Sequence, residues 1–290
     1  MLIIAGIVPI KTLPLLEGRV MKERAFLRIG DYQIPATQGT AAMISAALAV
    51  SQYFQLESPR AVVAGDIGRG DGSRLIYQYL IQNLLQLKPR VLALHYCMPD
   101  LELMRQLYEQ VKLLDPPPVL IADAASMYAA KAVGLASAFD VFTPDLSELA
   151  FLADKEAIHP AYIDKHLFES CDIKTVPEFI ALAYENQGAA RYLLVKGKAD
   201  YIADKNGILS SIDGPDIPEL ECIGGTGDTI TGMVAALIYK GLNIPDALKI
   251  SAQANRLAGA IETTTPATRI NEIIDRLPQV FKSSLKREIS

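Results

Sequence analysis

Short apolar or β-branched runs alternate with longer stretches of helical period along most of this chain. Residues 61–65 (AVVAG), 91–95 (VLALH), 119–123 (VLIAD), 140–143 (DVFT) and 192–196 (YLLVK) read as buried strands, and 73–85, 100–114, 127–133 and 176–185 carry amphipathic helical spacing. Strand–helix alternation of this kind predicts right-handed crossovers and a doubly wound, mostly parallel α/β sheet. The apolar run 2–10 reads as a first strand. After residue 196 the pattern changes: 200–203 (DYIA) and 207–210 (GILS) flank Asp204-Lys205-Asn206 as an antiparallel hairpin at the sheet's edge. Helices at 229–239 and 246–261 each gather an apolar face that must pack on the sheet. Pro116-Pro117-Pro118 lies inside the alternating series and reads as a stiff connector, and 154–171 is weakly patterned, either a surface excursion or a lid. With no repeat or linker in view, residues 1–290 are expected to form one domain.

Composition narrows the function classes. Half of the 290 residues are hydrophobic, enough for a sizeable core without metal or disulfide staples. The net charge is −5 and no stretch clusters Lys and Arg, which argues against a nucleic-acid or membrane-surface partner and for small molecules. Cys97, Cys171 and Cys222 are odd in number and lack CxxC spacing, so neither a disulfide framework nor a zinc site is indicated. Residues 2–10 follow no basic region and do not read as a signal peptide, and the apolar run 41–50 is far short of the roughly 18 residues of a membrane span. A cytoplasmic setting is expected, and homo-oligomer formation stays open.

The most informative stretch is IGGTGDTITG (223–232), where glycines run directly into an amphipathic helix. Glycines let successive N–H groups converge, and a helix N-terminus adds partial positive charge, so Gly225, Thr226 and Gly227 make a candidate site for a phosphate or developing oxyanion. Asp228 reads either as an N-cap or as a carboxylate held beside that site to take a hydroxyl proton during phosphoryl transfer. The whole loop favours the second reading.

GGTGDTITGMVAAL (224–237) resembles the C-terminal signature of the ribokinase-like superfamily, most closely its NAD(P)H-hydrate dehydratase branch. The resemblance implies a three-layer α/β/α fold, ATP or ADP with magnesium as cofactors, an anion hole at Gly225–Gly227 and Asp228 as base. Thr143-Pro144-Asp145-Leu146-Ser147-Glu148 reads by itself as a helix cap, and resembles the superfamily's Pro-Asn-x-x-Glu motif, which implies that Glu148, with Asp145, supports magnesium through water. Asp145 replaces the Asn of the kinases, and the dehydratases have a His-Pro-Gly-Glu pattern.

Asp123 ends a strand at the edge where doubly wound folds place ligands. Its segment resembles the dehydratases' Asp-Ala-Asp-Ala-Leu, implying substrate contact, while a helix cap is the equal alternative. Lys196-Gly197 resembles the family's strand-end Lys-Gly beside the nucleotide, against the default of an exposed lysine. Residues 65–72 (GDIGRGDG) stand where the dehydratases carry Gly-Pro-Gly-Leu-Gly, which makes Gly68 a candidate substrate contact. Gln38-Gly39-Thr40 resembles the family's start of its first long helix, and Asn255-Arg256-Leu257-Ala258-Gly259 its His-x-Leu-Ala-Gly helix. His95 reads as a satisfied, partly buried histidine rather than a substrate contact, and the absence of HExxH, Walker A and GxSxG patterns removes metalloprotease, P-loop and serine-hydrolase readings. The expected activity is phosphoryl transfer to a small-molecule hydroxyl, coupled or not to dehydration of hydrated NAD(P)H. The alternatives are a sugar or vitamin-precursor kinase and a non-catalytic nucleotide sensor.

Overall fold

The computed structural model describes residues 1–157, 175–286 and 288–289. The expected lid at 154–171 therefore lies outside the described residues beyond residue 157. The strands are β1 (Leu2–Val8), β2 (Leu16–Glu23), β3 (Phe26–Ile29), β4 (Tyr32–Pro35), β5 (Arg60–Gly65), β6 (Val91–His95), β7 (Val119–Asp123), β8 (Val141–Phe142), β9 (Tyr192–Val195), β10 (Asp200–Asp204) and β11 (Gly207–Ile212). The helices are α1 (Thr40–Tyr53), α2 (Asp71–Leu87), α3 (Leu101–Lys112), α4 (Ala125–Ala132), α5 (Leu146–Ala153), α6 (Val176–Glu185), α7 (Thr226–Lys240), α8 (Ile244–Ala260) and α9 (Ile270–Ser283).

The strands among the described residues join one sheet in the order β11-β10-β9-β8-β7-β6-β1-β5-β2-β3-β4. The run from β5 to β9 is parallel, and antiparallel strands finish both edges. The expected hairpin is β10–β11, with a register shift between Ile202 and Ala203. Strands β2–β4 escaped the sequence reading because charged residues such as Glu17, Arg19, Lys22 and Arg28 break their apolar runs: they bury one face only. Helix α9 was also unread, although it buries Ile270, Ile273, Ile274, Leu277, Val280 and Phe281 along one side.

Strand β1 shows why the central strands are apolar throughout: Leu2 and Ile4 enter one core, Ile3 and Ala5 the other. The first core is closed by α1, α7, α8 and α9, the second by α2 to α6, giving the expected three layers. Helices α1 and α7 approach so closely that a Cβ on Gly232 would stand 2.1 Å from the Met43 carbonyl oxygen. That approach sets the start of α7 against the start of α1. Among the described residues no helix is long and apolar enough to cross a membrane, and Cys97 and Cys222 are free.

Gly232→Ala is expected to force the two helices apart and cost about 1–3 kcal/mol, the usual range for overpacking. Denaturant unfolding measures it, and an unchanged midpoint would show that the contact is not tight.

Candidate active site

Parallel strands place their C-terminal ends at one edge, and there the chain opens a cleft of about 420 Å³. Its walls include Asp123, Asp145, Glu148, Lys196, Gly197, Gly225, Thr226, Gly227 and Asp228, which therefore meet although they span over a hundred residues of sequence. Gly68 is not on this wall. Its N–H donates to Asp66 Oδ1 at 3.0 Å, as do those of Arg69 and Gly70, while Ser73 donates to Asp66 Oδ2 from its N–H and hydroxyl. The glycine-rich loop is thus filled by its own carboxylate. Burial pushes the Asp66 carboxyl up, but these donors outweigh it and hold it below the usual range.

Helix α7 begins at Thr226, three residues earlier than periodicity suggests, with Gly225 as its N-cap at φ 101°. The left-handed conformation suits glycine, and a side chain there would also press on Ala42 and Ile270. Helix geometry leaves the N–H groups of Gly227 and Asp228 without intrahelical partners, facing a cleft of ligand size. Asp228 does not cap the helix. Its Oδ2 accepts the Gly39 N–H at 2.7 Å, and its Oδ1 lies 2.9 Å from His95 Nε2. Burial raises this carboxyl, but the His95 hydrogen bond and charge, Lys196 and the Gly39 N–H lower it further, so it stays ionised.

Lys196 is largely buried rather than exposed, with Nζ 3.0 and 3.1 Å from the two oxygens of Asp123. Burial works against its charge, but Asp123, Glu148 and Asp228 more than restore it. Asp123 does not cap α4 either, whose N-cap is Ala124 without a side-chain bond. Its buried carboxylate accepts the Lys196 ammonium, the Thr231 hydroxyl at 2.6 Å and the Ala124 N–H. Gly197 belongs to a turn braced by Arg256, which reaches Asp200 Oδ2 at 2.7 Å and the carbonyls of Gly197 and Lys198 at 2.9 Å.

Asp145 and Glu148 form a capping box for α5, so the capping reading of this pair is correct. Each carboxylate commits one oxygen to the box, Asp145 Oδ1 and Glu148 Oε2, and both side chains line the cleft. Burial pushes the Glu148 carboxyl up to about 8; Lys196 and the Asp145 N–H oppose this, and the negative Asp123 and Asp145 add to it. Asp145 and Glu148 each have an oxygen to spare, and once a cation displaces the Glu148 proton the pair suits a hard ion that keeps several of its waters, as magnesium does. His95, Asp123 and Asp228 also bring one ligand-type atom each within 4.8 Å of one another, but the Lys196 ammonium already sits on Asp123. His159 and His166 lie outside the described residues.

The sequence pattern that defines the NAD(P)H-hydrate dehydratase family matches residues 73–279, well over half of the chain and all of the cleft-lining motifs. The chain belongs to that family. With it the chain belongs to the ribokinase-like superfamily of nucleotide-dependent enzymes. It is 38% identical to an uncharacterised protein of Methanocaldococcus jannaschii over 84% of this chain and 100% of the relative. Over 56% of its length it is 28% identical to a bifunctional NAD(P)H-hydrate repair enzyme of Pyrobaculum aerophilum, of which it covers 29%. The fold is similar to Bacillus subtilis YxkO, with a TM-score of 0.56 at 15% identity over 97% of this chain and 91% of that one. It is likewise similar to an ADP complex of Bacillus subtilis pyridoxal kinase, with a TM-score of 0.52 at 15% identity over 87% and 89% of the two chains.

Three contributors to the site were not singled out as such from sequence: His95, Thr231 and Arg256. Thr231 follows Asp228 by three positions on α7 and so shares its face, which was the available signal. For His95 the signal was its strand-end position beside Asp123 in the next strand, where the two residues are paired in register.

Because Glu148 is held protonated above its ordinary value of 4.5, folding favours its neutral form, and stability is lost as pH rises through about 8. Glu148→Gln keeps the capping-box acceptor and removes the titration. The melting temperature of the Gln variant relative to the parent should therefore climb between pH 4.5 and 8 in metal-free buffer and then level off. A flat difference would contradict the shift.

Proposed function

We propose that this cleft transfers a phosphoryl group from ATP or ADP to a hydroxyl of a small molecule, with magnesium, and that the hydroxyl is that of hydrated NAD(P)H. The observation that carries the reading is the meeting of an ionised, non-capping Asp228 with the open N-terminus of α7 on one cleft wall. The N–H groups of Gly227 and Asp228 would hold the anionic phosphates, assisted by the helix dipole. Lys196, fixed on Asp123 beside Gly227, adds positive charge to the same wall. Asp145 and Glu148 would hold magnesium through water, and the ion would supply neutralisation of phosphate charge. Asp228 would take the hydroxyl proton as the oxygen attacks the terminal phosphorus and the bond to the bridging oxygen breaks, releasing the nucleotide one phosphate shorter. A lowered carboxyl can do this, since in a loose transition state the proton leaves late and placement matters more than basicity. Departure of the new phosphate with its bonding electrons, together with loss of a proton from the adjacent ring carbon to solvent, would then restore the nicotinamide double bond.

A second reading, a kinase that releases the phosphate ester, is favoured by two observations. Asp145 stands in a Pro-x-x-x-Glu segment closer to the kinase motif than to His-Pro-Gly-Glu, and Asp66 fills the loop where the dehydratases have glycines and proline. Incubation with ATP or ADP, magnesium and either hydrated NADH or a panel of sugars and vitamin precursors separates repair, a phosphate ester, and the silence of a nucleotide sensor.

Asp228→Asn should lower turnover by about 10²–10⁴-fold, the usual contribution of a general base. Nucleotide affinity by calorimetry and melting temperature should stay close to the parent. An Asn variant that keeps most of its turnover would return Asp228 to a structural role.

A further inference from the structure

His95 closes β6 with its ring fully buried. Nδ1 lies 2.9 Å from Thr40 Oγ1, and Nε2 lies 2.9 Å from Asp228 Oδ1 and 3.8 Å from Asp123 Oδ2. The donors can be counted. Thr40 Oγ1 is 2.6 Å from the Ile7 carbonyl oxygen, which only accepts, so the single hydroxyl hydrogen goes there. The hydroxyl therefore turns a lone pair toward Nδ1, which must carry hydrogen. On the other side Nε2 and Asp228 Oδ1 stand 2.9 Å apart, so a hydrogen must lie between them, and it belongs to the imidazole, ordinarily the stronger base of the two, while Asp228 Oδ2 already receives the Gly39 N–H; Nε2 therefore carries hydrogen as well.

A ring protonated on both nitrogens is an imidazolium. The surrounding charges agree. Asp123 and Asp228 bring two negative charges, Lys196 one positive charge, and the imidazolium closes the balance at zero. Tyr96 packs edge-on to the ring at 4.4 Å and stays neutral, its phenol pushed up to about 12 mainly by burial, and Glu148, which interacts with Lys196 and Asp123, is pushed up to about 8 by burial and so adds little negative charge at neutral pH. The tight seat of Gly6, where a Cβ would stand 2.3 Å from the His95 carbonyl oxygen and 2.7 Å from Thr40 Oγ1, locks strand β1, Thr40 and the histidine together.

We propose that His95 is held as an imidazolium and is the positioning residue for Asp228, fixing the carboxylate through Nε2–H while Thr40 and the Ile7 carbonyl fix the ring through Nδ1–H. This rests on the reading of Asp228 as the base. The histidine touches no substrate. It leaves Asp228 one orientation, with the lone pairs not used by His95 and Gly39 turned to the cleft.

Two measurements test it. In full-length protein labelled with ¹⁵N-histidine, the His95 signal, identified by its loss in His95→Gln, should show both ring nitrogens protonated at neutral pH without added nucleotide or metal. A bare Nε2, from a neutral ring or a bound metal ion, overturns the proposal whatever the enzyme's activity. In turnover assays on the substrate found above, His95→Leu should lower kcat by about 10²-fold, the cost of a misplaced reacting group, with nucleotide KM unchanged. His95→Gln, which offers an N–H near the Nε2 position, should recover a large part of that loss. Thr40→Val, which removes the ring's acceptor, should also lower kcat and supplies the comparison if His95→Leu does not fold. Equal losses in the Leu and Gln variants that track melting temperature would make His95 a packing residue and overturn the proposal. The failures separate: an active Asp228→Asn enzyme removes the base and its positioning residue together, whereas an inactive one beside a fully active His95→Leu enzyme removes the positioning role alone.

Discussion

Two carboxylates buried at one edge of a parallel sheet stay ionised only when positive charge is buried with them, because the desolvation of an unpaired charge is a large fraction of the stability of a whole domain. At this edge the balance is assembled from four segments. Asp123 ends β7, Lys196 follows β9, Asp228 enters on α7 and His95 ends β6. None of these groups could be replaced by an apolar residue without leaving its partner unpaired, whereas an amide at 228 still offers His95 a hydrogen-bond partner. The cleft is therefore polar and rigid where the chemistry is read, and the surrounding apolar layers set its shape.

The close approach of α1 and α7 connects that charge balance to the core. Gly232 lets α7 lie against Met43, which brings Asp228 to the Gly39 N–H at the start of α1. From there Thr40 reaches both Ile7 in β1 and His95 in β6. A change of helix packing several residues from the cleft would be felt as a rotation of the carboxylate. Arg256 works similarly from α8, holding the turn that follows β9 by three hydrogen bonds.

The parallel strands and the Gly225–Asp228 loop were legible because each depends on local letters: unbroken apolar runs for strands covered on both faces, and glycines ahead of an amphipathic helix. Strands β2–β4 were not, since a strand buried on one face only carries charges such as Arg19 and Lys22 that mask its period. Site residues divide the same way. Asp228 and Glu148 stand in motifs and could be named from them. His95 does not, and its role depends on a hydrogen-bond chain through Thr40 and Ile7, which are far apart in sequence and meet only in the fold. The burial of Lys196 was not legible for a related reason: it is decided by Asp123, 73 residues upstream, and not by its neighbours.

The Asp66 carboxylate in the glycine loop has a consequence for what can bind there. It is tethered by a few residues to the N–H groups it occupies, so it competes with any free anion at an effective concentration on the order of millimolar or above. A phosphate or carboxylate in solution would have to match five donor contacts and also expel a charge that cannot diffuse away. Toward free anions this loop is thus already occupied by its own chain, and a ligand that engaged it as it stands would have to do so without taking those donors.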